Sequence, residues 1–340
     1  MKKILISILC VVLCLSFFGC NSSTPEISSI YIPDYEKLVY EVKESGTSAT
    51  LTGTLTMVAE RVALSREESI TVIDNDGKIE EKKVNVATKA FVLTSTLEFN
   101  GDVMVSKLIT SSTFQPLYSF KSLVVDKEKS AWSGEEDEPA CVSYALSTVY
   151  EAGSNKANSN FIRQQKYGDD ITKWKHTNMA FDNLPTNNSR YFDVNQTYYA
   201  LRCVKSLHDN KFQYTFYMPM ALESNTKYLI CNGEEGSKDL ANFPYVKETY
   251  KDDEDFSLSY TKVSITPSGE AVRGSSIEVY YARQSIHSLS QTDKTKDGIC
   301  ERLPLLIVEN QAKSTISQEN ANPNARGTMT YSLISVVTEK

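Results

Sequence analysis

Apolar residues occupy every second position through most of this chain. Leu51, Gly53, Leu55, Met57 and Ala59 alternate with Thr50, Thr52, Thr54 and Thr56. Phe91, Leu93, Leu97 and Phe99 share one face of a second run, and Phe212, Tyr214, Phe216, Met218 and Met220 one face of a third. Met329, Tyr331, Leu333 and Val337 do the same in a fourth. A strand points successive side chains to opposite faces, so this period predicts strands with one face buried. The segments 102–110, 114–125, 141–151, 226–231, 244–250, 256–266, 275–283 and 302–310 read as further strands. In 34–45, Pro33-Asp34 has the form of a helix start, but Leu38, Tyr40 and Val42 alternate, and strand is the better reading.

Turn signals sit between these runs. Asn100-Gly101 is a strong two-residue hairpin signal and should join 89–99 to 102–110. Asp74-Asn75-Asp76-Gly77 reads as another hairpin tip. Short strands joined by tight turns argue for a mainly β, antiparallel protein. One segment departs from the pattern. Asp193 can cap a helix, with Gln196 three residues on completing a capping box. Val194, Tyr198, Leu201 and Lys205 then line one face of a helix over 194–207, with Tyr199, Cys203 and the stem of Arg202 beside it. The polar stretch 182–190 allows a subdivision, but one continuous sheet interrupted by a helix is the simpler organisation. Loops 284–298 and 317–327 read as exposed.

The N-terminus has a different composition. Lys2 and Lys3 precede a 15-residue apolar stretch, Ile4 to Phe18, broken only by Ser7 and Ser16. That is short for a bilayer core of roughly 30 Å but right for a signal peptide. The stretch ends in Ser16-Phe17-Phe18-Gly19-Cys20, which resembles the lipobox of bacterial lipoproteins, with Phe17 where that family prefers Leu. The resemblance implies a leader over 1–19 cut before Cys20, a diacylglycerol on the Cys20 thiol, and a tether over 20–30 leading to a domain over 31–340. The chain would then be exported and anchored by lipid on the extracytoplasmic side of a bacterial membrane. Two or three acyl chains hold a protein where one does so only marginally.

Net charge is −7, and loss of Lys2 and Lys3 with the leader makes it −7 − 2 = −9. An acidic chain lacks the electrostatic footprint of a nucleic-acid binder. Of seven cysteines, Cys10 and Cys14 would leave with the leader and Cys20 would be acylated. Cys141, Cys203, Cys231 and Cys300 remain, and outside the cytosol they allow three pairings or free buried thiols. Cys203 and Cys231 are the closest pair in sequence.

Catalytic patterns are missing. The chain has no Gly-x-Ser-x-Gly elbow, no His-Glu-x-x-His, no C-x-x-C and no phosphate-binding glycine loop. His176, His208 and His287 stand in polar surroundings and read as surface or loop residues. Asp74 to Ile79 matches the middle of a calcium loop, but the first and twelfth ligand positions would be Val72 and Lys83, so a turn is the better reading. No metal or other cofactor is expected, and no enzyme activity. Nineteen tyrosines with Trp132 and Trp174 suit either strand packing or a cavity lining.

Phe192-Asp193-Val194-Asn195-Gln196-Thr197-Tyr198-Tyr199-Ala200-Leu201-Arg202 resembles the helix start of bacterial envelope proteins of the DUF3108-like group, relatives in shape of the lipoprotein-sorting proteins LolA and LolB. Ile277 to Ala282, Arg302 to Glu309 and Gly327 to Leu333 resemble that group's C-terminal strands. The resemblance covers about 190–337 and departs from the pattern at Val194. It implies an antiparallel sheet curled into a half-barrel with one helix packed in or near its hollow, and it supplies no catalytic residues. The expected role is to bind a hydrophobic ligand, an acyl or isoprenoid chain, in the curled sheet. The alternative is a structural or interaction lipoprotein with a filled core and no ligand. No protein partner can be named from the sequence.

Overall fold

The computed structural model describes residues 31–45, 51–126, 128, 142–151, 154, 156–166, 168–182, 184, 192–205, 207–208, 212–220, 223–237, 239–268, 276–287, 299–310 and 328–339. For 212–220, 223–237, 266–268 and 339 only the backbone is described. The first ten strands are β1 (Tyr35–Ser45), β2 (Leu51–Arg61), β3 (Arg66–Ile73), β4 (Ile79–Val86), β5 (Phe91–Phe99), β6 (Asp102–Thr110), β7 (Pro116–Val124), β8 (Tyr144–Tyr150), β9 (Ala157–Arg163) and β10 (Lys175–Phe181). Helix α1 (Thr197–Arg202) follows, then β11 (Phe212–Met220), β12 (Glu223–Ser237), helix α2 (Pro244–Thr249), β13 (Leu258–Ser268) and β14 (Ser276–Ala282). The chain ends with β15 (Ile286–His287), β16 (Ile299–Cys300), β17 (Pro304–Asn310) and β18 (Thr328–Glu339).

Among the described residues, fourteen strands form one antiparallel sheet in the order β10-β9-β8-β7-β6-β5-β2-β1-β18-β17-β14-β13-β12-β11. β11, at one end of this order, returns to within 8 Å of β9 near the other, so the sheet curls round a hollow. The first and last strands meet in its middle, with Tyr35 opposite Glu339 and Ser45 opposite Thr328. Asn100 and Gly101 have φ of 49° and 88°, as the tight β5–β6 hairpin demands. Gly53 is required for another reason: a Cβ there would lie 2.7 Å from the Phe99 ring and 2.3 Å from the Glu98 carbonyl.

The inner face is read directly from the register. One row runs Leu333, Tyr40, Leu55, Leu97, Met104, Leu123, Tyr144 across seven strands. Tyr331, Ile307, Val279 and Val263 carry the apolar face into the second half. A bulge at Val39/Tyr40 shifts β18, so Val336, and not Val337, turns into the core.

The convex face is covered twice. The β3–β4 hairpin, whose tip is Asp74 to Gly77, lies over β6–β9. There the Ile73 amide donates to Ser147 Oγ at 2.9 Å, Lys107 reaches Glu68 at 2.8 Å, and the Tyr118 hydroxyl donates to the Thr71 carbonyl. In the second half, Phe243 at the start of α2 packs on Tyr260 and Tyr280, with ring centroids 5.4 and 6.2 Å away. Segment 244–250 is therefore a helix and not the expected strand. Pro244 at its first position is preorganised for helix, and Tyr245 and Val246 are both buried. β9 and β10 were not legible as strands, while the expected loop 284–298 contributes the short strand β15, which pairs with β16 just beyond the loop. The 311–327 segment lies outside the described residues.

Candidate functional site

A plug closes one end of the hollow. Asp193 starts it as the sequence predicts. Its carboxylate accepts the Asn195 amide at 2.9 Å, and the Gln196 side chain accepts the Asp193 amide at 3.3 Å. The helix is shorter than expected. A single 3-10 turn, Val194–Gln196, leads into α1, which ends at Arg202 with Cys203 as its cap. Six residues have no helical stability of their own, so tertiary packing holds them. Tyr199, Ala200, Leu201, Cys203, Val204 and Leu207 are all buried and join one core with residues of both halves of the sheet. No exposed stripe survives along α1, because the plug is surrounded by strands.

Each end of the plug is tied to the wall through a buried ionisable group. Asp193 accepts from Tyr150 Oη at 2.7 Å. Burial raises the Asp193 carboxyl above its usual range, opposed by the Asn195 amide, the Tyr150 and Ser119 hydroxyls and the charge of Lys121. Asn195 Nδ2 donates to Ser119 Oγ at 2.8 Å, and Gln196 Nε2 to the Phe114 carbonyl at 3.0 Å. At the other end Arg202 and Glu36, both 0% exposed, form a two-pronged ion pair at 2.5 and 3.1 Å. Arg202 also donates to the Tyr31 and Glu301 carbonyls at 3.0 and 2.9 Å. Its Nε and the Tyr199 hydroxyl are buried without a hydrogen-bond partner among the described residues. Arg302 then covers the helix end. It donates to the carbonyls of Arg202 and Val204 at 3.0 and 2.5 Å, with its guanidinium 4.2 Å from the centre of the Tyr31 ring. A cation on the last carbonyls of a helix is favourable.

Further along the hollow the lining changes. Tyr281 Oη donates to the Tyr198 carbonyl at 2.9 Å. Glu309 accepts from Tyr198 and Tyr331 at 3.2 and 3.0 Å. Leu51, Met104, Tyr144 and Ile277 face inward by register and touch the core, yet stay only half-buried. A second row runs Leu38, Met57, Ser95, Ser106, Lys121, Leu146, Phe161, Thr177. It turns from apolar to hydroxyl, and Ser95 and Ser106 hydrogen-bond each other at 2.7 Å. In a third row Thr148 and Ser159 do so at 2.6 Å.

The other sequence candidates lie apart. Cys20 and Cys141 fall outside the described residues, as does the Cys231 side chain. Cys203 and Cys300 are buried free thiols. Burial pushes them up to about 11 and about 12, which leaves both protonated and poorly nucleophilic near neutral pH. Only His287 is an exposed histidine. His176 lies half-buried on β10 with Nε2 2.9 Å from Asn160 Oδ1. His208 sits half-buried with Nδ1 2.8 Å from Thr261 Oγ1, and burial, then Arg302 and Arg283, lower it to about 4. Asp74 accepts the amides of Asp76 and Lys78 at 2.9 and 2.8 Å, an Asx turn in place of a calcium loop.

Sequence reasoning missed Glu36, Arg302 and Lys121. Glu36 lies on the same alternating face as Leu38 and Tyr40, and that was the only available signal. A charged residue in phase with a buried face is a candidate for an internal ion pair.

No protein-family model matches the chain, and no curated protein does. The DUF3108-like resemblance thus rests on the residues that suggested it. Among solved structures, the β-barrel-like protein of domain of unknown function DUF1849 from Brucella abortus is similar, with 8% identity, a TM-score of 0.48, and coverage of 92% of this chain and 100% of that one. The chain is itself a barrel-like, mainly β protein with a plugged base.

Proposed function

We propose that the protein is a lipid-anchored envelope protein of the DUF3108-like kind that holds a hydrophobic chain, acyl or isoprenoid, in its curled sheet beyond the plug. The observation that supports this is the half-buried apolar lining of Leu51, Met104, Tyr144 and Ile277, which faces inward without being fully covered. Apolar surface left open inside a concave wall is the usual basis of ligand sites. Native mass spectrometry of protein purified from cells, with lipid extraction, tests it. A co-purifying hydrophobic molecule of defined mass is the expected result, and a consistently empty protein overturns it.

A second reading has its own support. Ala200, Leu201, Val204 and Leu207 are wholly buried, as in a structural protein with a filled core. A stoichiometric protein partner in crosslinked envelope, with no extractable lipid, favours that role. The anchor has a separate test: Cys20→Ser should release the protein from the particulate fraction, and full retention there overturns anchoring through Cys20.

A further inference from the structure

Lys121 is in an unusual place for a lysine. It lies in the middle of β7, and its register partners are Ser106 on one side and Leu146 on the other. Ser106 faces the hollow, so Lys121 does too. It is half-buried there. Three acids facing the hollow have contacts of their own: Glu36 with Arg202, Glu309 with two phenols, and Asp193 with an amide and a hydroxyl. Lys121 acts on Asp193 through its charge, but no acceptor is in hydrogen-bond or ion-pair contact with its ammonium among the described residues. A half-buried ammonium with no contacting acceptor is a ready partner for a ligand anion, because charge-assisted hydrogen bonds are the strong ones.

Its surroundings are also specific. The hydrogen-bonded Ser95–Ser106 pair adjoins it across the sheet. Strands lie about 4.8 Å apart, so these hydroxyls and the ammonium can share one ligand group. Ser119, two residues earlier on the same face, holds Asn195 of the plug, which places Lys121 one step beyond the plug. On its far side comes the apolar row of Leu97, Met104, Leu123 and Tyr144, of which Met104 and Tyr144 are left half-buried. A cation with hydroxyls at depth and an apolar wall leading away from them matches an amphiphile inserted head first.

We propose that Lys121, with Ser95 and Ser106, receives the anionic head of a single-chain amphiphile, a carboxylate or phosphate monoester, whose tail runs outward along that apolar row. This rests on the ligand-binding reading above and narrows it to acidic lipids.

The test is calorimetric titration of the full chain with laurate, lauryl phosphate and lauryl alcohol, each below its micelle concentration, and with inorganic phosphate alone. Charge-assisted hydrogen bonds should make either or both anionic chains bind at least about tenfold tighter than the alcohol. Lys121→Met should remove that preference while leaving alcohol binding intact, which also shows that the variant is folded, and Lys121→Arg should keep it. Laurate alone, or lauryl phosphate alone, showing the preference identifies the head. Equal binding of all three chains overturns the role of Lys121 and leaves the hydrophobic site standing. Binding of none overturns both. Inorganic phosphate binding as tightly as lauryl phosphate overturns the amphiphile.

Discussion

At its N-terminal end the plug is held by amides and hydroxyls. Asp193 gathers the Asn195 amide and the Tyr150 hydroxyl, while Asn195 and Gln196 reach Ser119 and Phe114 of the first half of the sheet. At its C-terminal end full charges do the work. Arg202 pairs with Glu36 on the first strand of the sheet, and Arg302 comes in from the start of β17 to hold the last carbonyls. Both ends are buried, but they fail differently. A lost hydroxyl removes one of several donors to the Asp193 carboxyl, whereas a lost guanidinium leaves a carboxylate without its counterion.

The largest effect should come from breaking the charged end. Arg202→Met leaves Glu36 buried and unpaired, at an expected cost of about 3–5 kcal/mol in urea unfolding. The double variant with Glu36→Leu should recover most of that loss, because desolvation of the pair offsets much of its attraction. If the double variant is as unstable as the single, the guanidinium acts through its carbonyl contacts and not through Glu36.

The end held by amides and hydroxyls should be weaker. Asp193→Ala removes the cap and strands two or three donors, for about 2 kcal/mol by the same measurement.

Acid titration sharpens the contrast further. Asp193 is raised when folded, so its contribution is fully present below its ordinary 3.8 and is lost as pH rises through the folded value. Asp193→Asn should therefore fall behind wild type least, or exceed it, at neutral pH. His208 lies beside Arg302 at the charged end and is lowered from 6.5 to about 4, so its contribution is full above 6.5 and is lost as pH falls towards 4. His208→Gln should flatten the stability profile between those values. Salt is the smallest lever: raising it should change the stability difference between Arg202→Met and wild type by little, because a dry pair is poorly screened.

The two ends were also unequally legible. Asp193 and Gln196 carry a local signal, a cap and its reciprocal partner three residues apart, and both bonds form. The Arg202–Glu36 pair spans 166 positions, and nothing local at either residue announces the other. The strands show the same division. Runs with one apolar face, such as β1, β2, β5 and β6, could be read. β9 and β10 could not, because their outward face is made of side-chain amides: Asn178 donates to Asn158 and Asn160 at 2.7 and 2.8 Å. Lys121 escaped for a related reason. The β3–β4 hairpin covers Tyr118 and Phe120 on the convex side, so alternation in β7 presents its bulkiest residues away from the hollow. Where a sheet is covered on both faces, a period of two no longer says which face is inside.

The central pairing of the first strand with the last governs how such a chain can be made. β1 emerges first and has one lateral edge reserved for residues 328–339. Until those are supplied, a row of amides and carbonyls along Tyr35 to Ser45 stays open to any passing strand. Assembly therefore cannot complete in step with synthesis or secretion. A chain cut just before β18 should expose an adhesive seam in the middle of its largest structural unit, and should clump where the intact molecule stays dispersed.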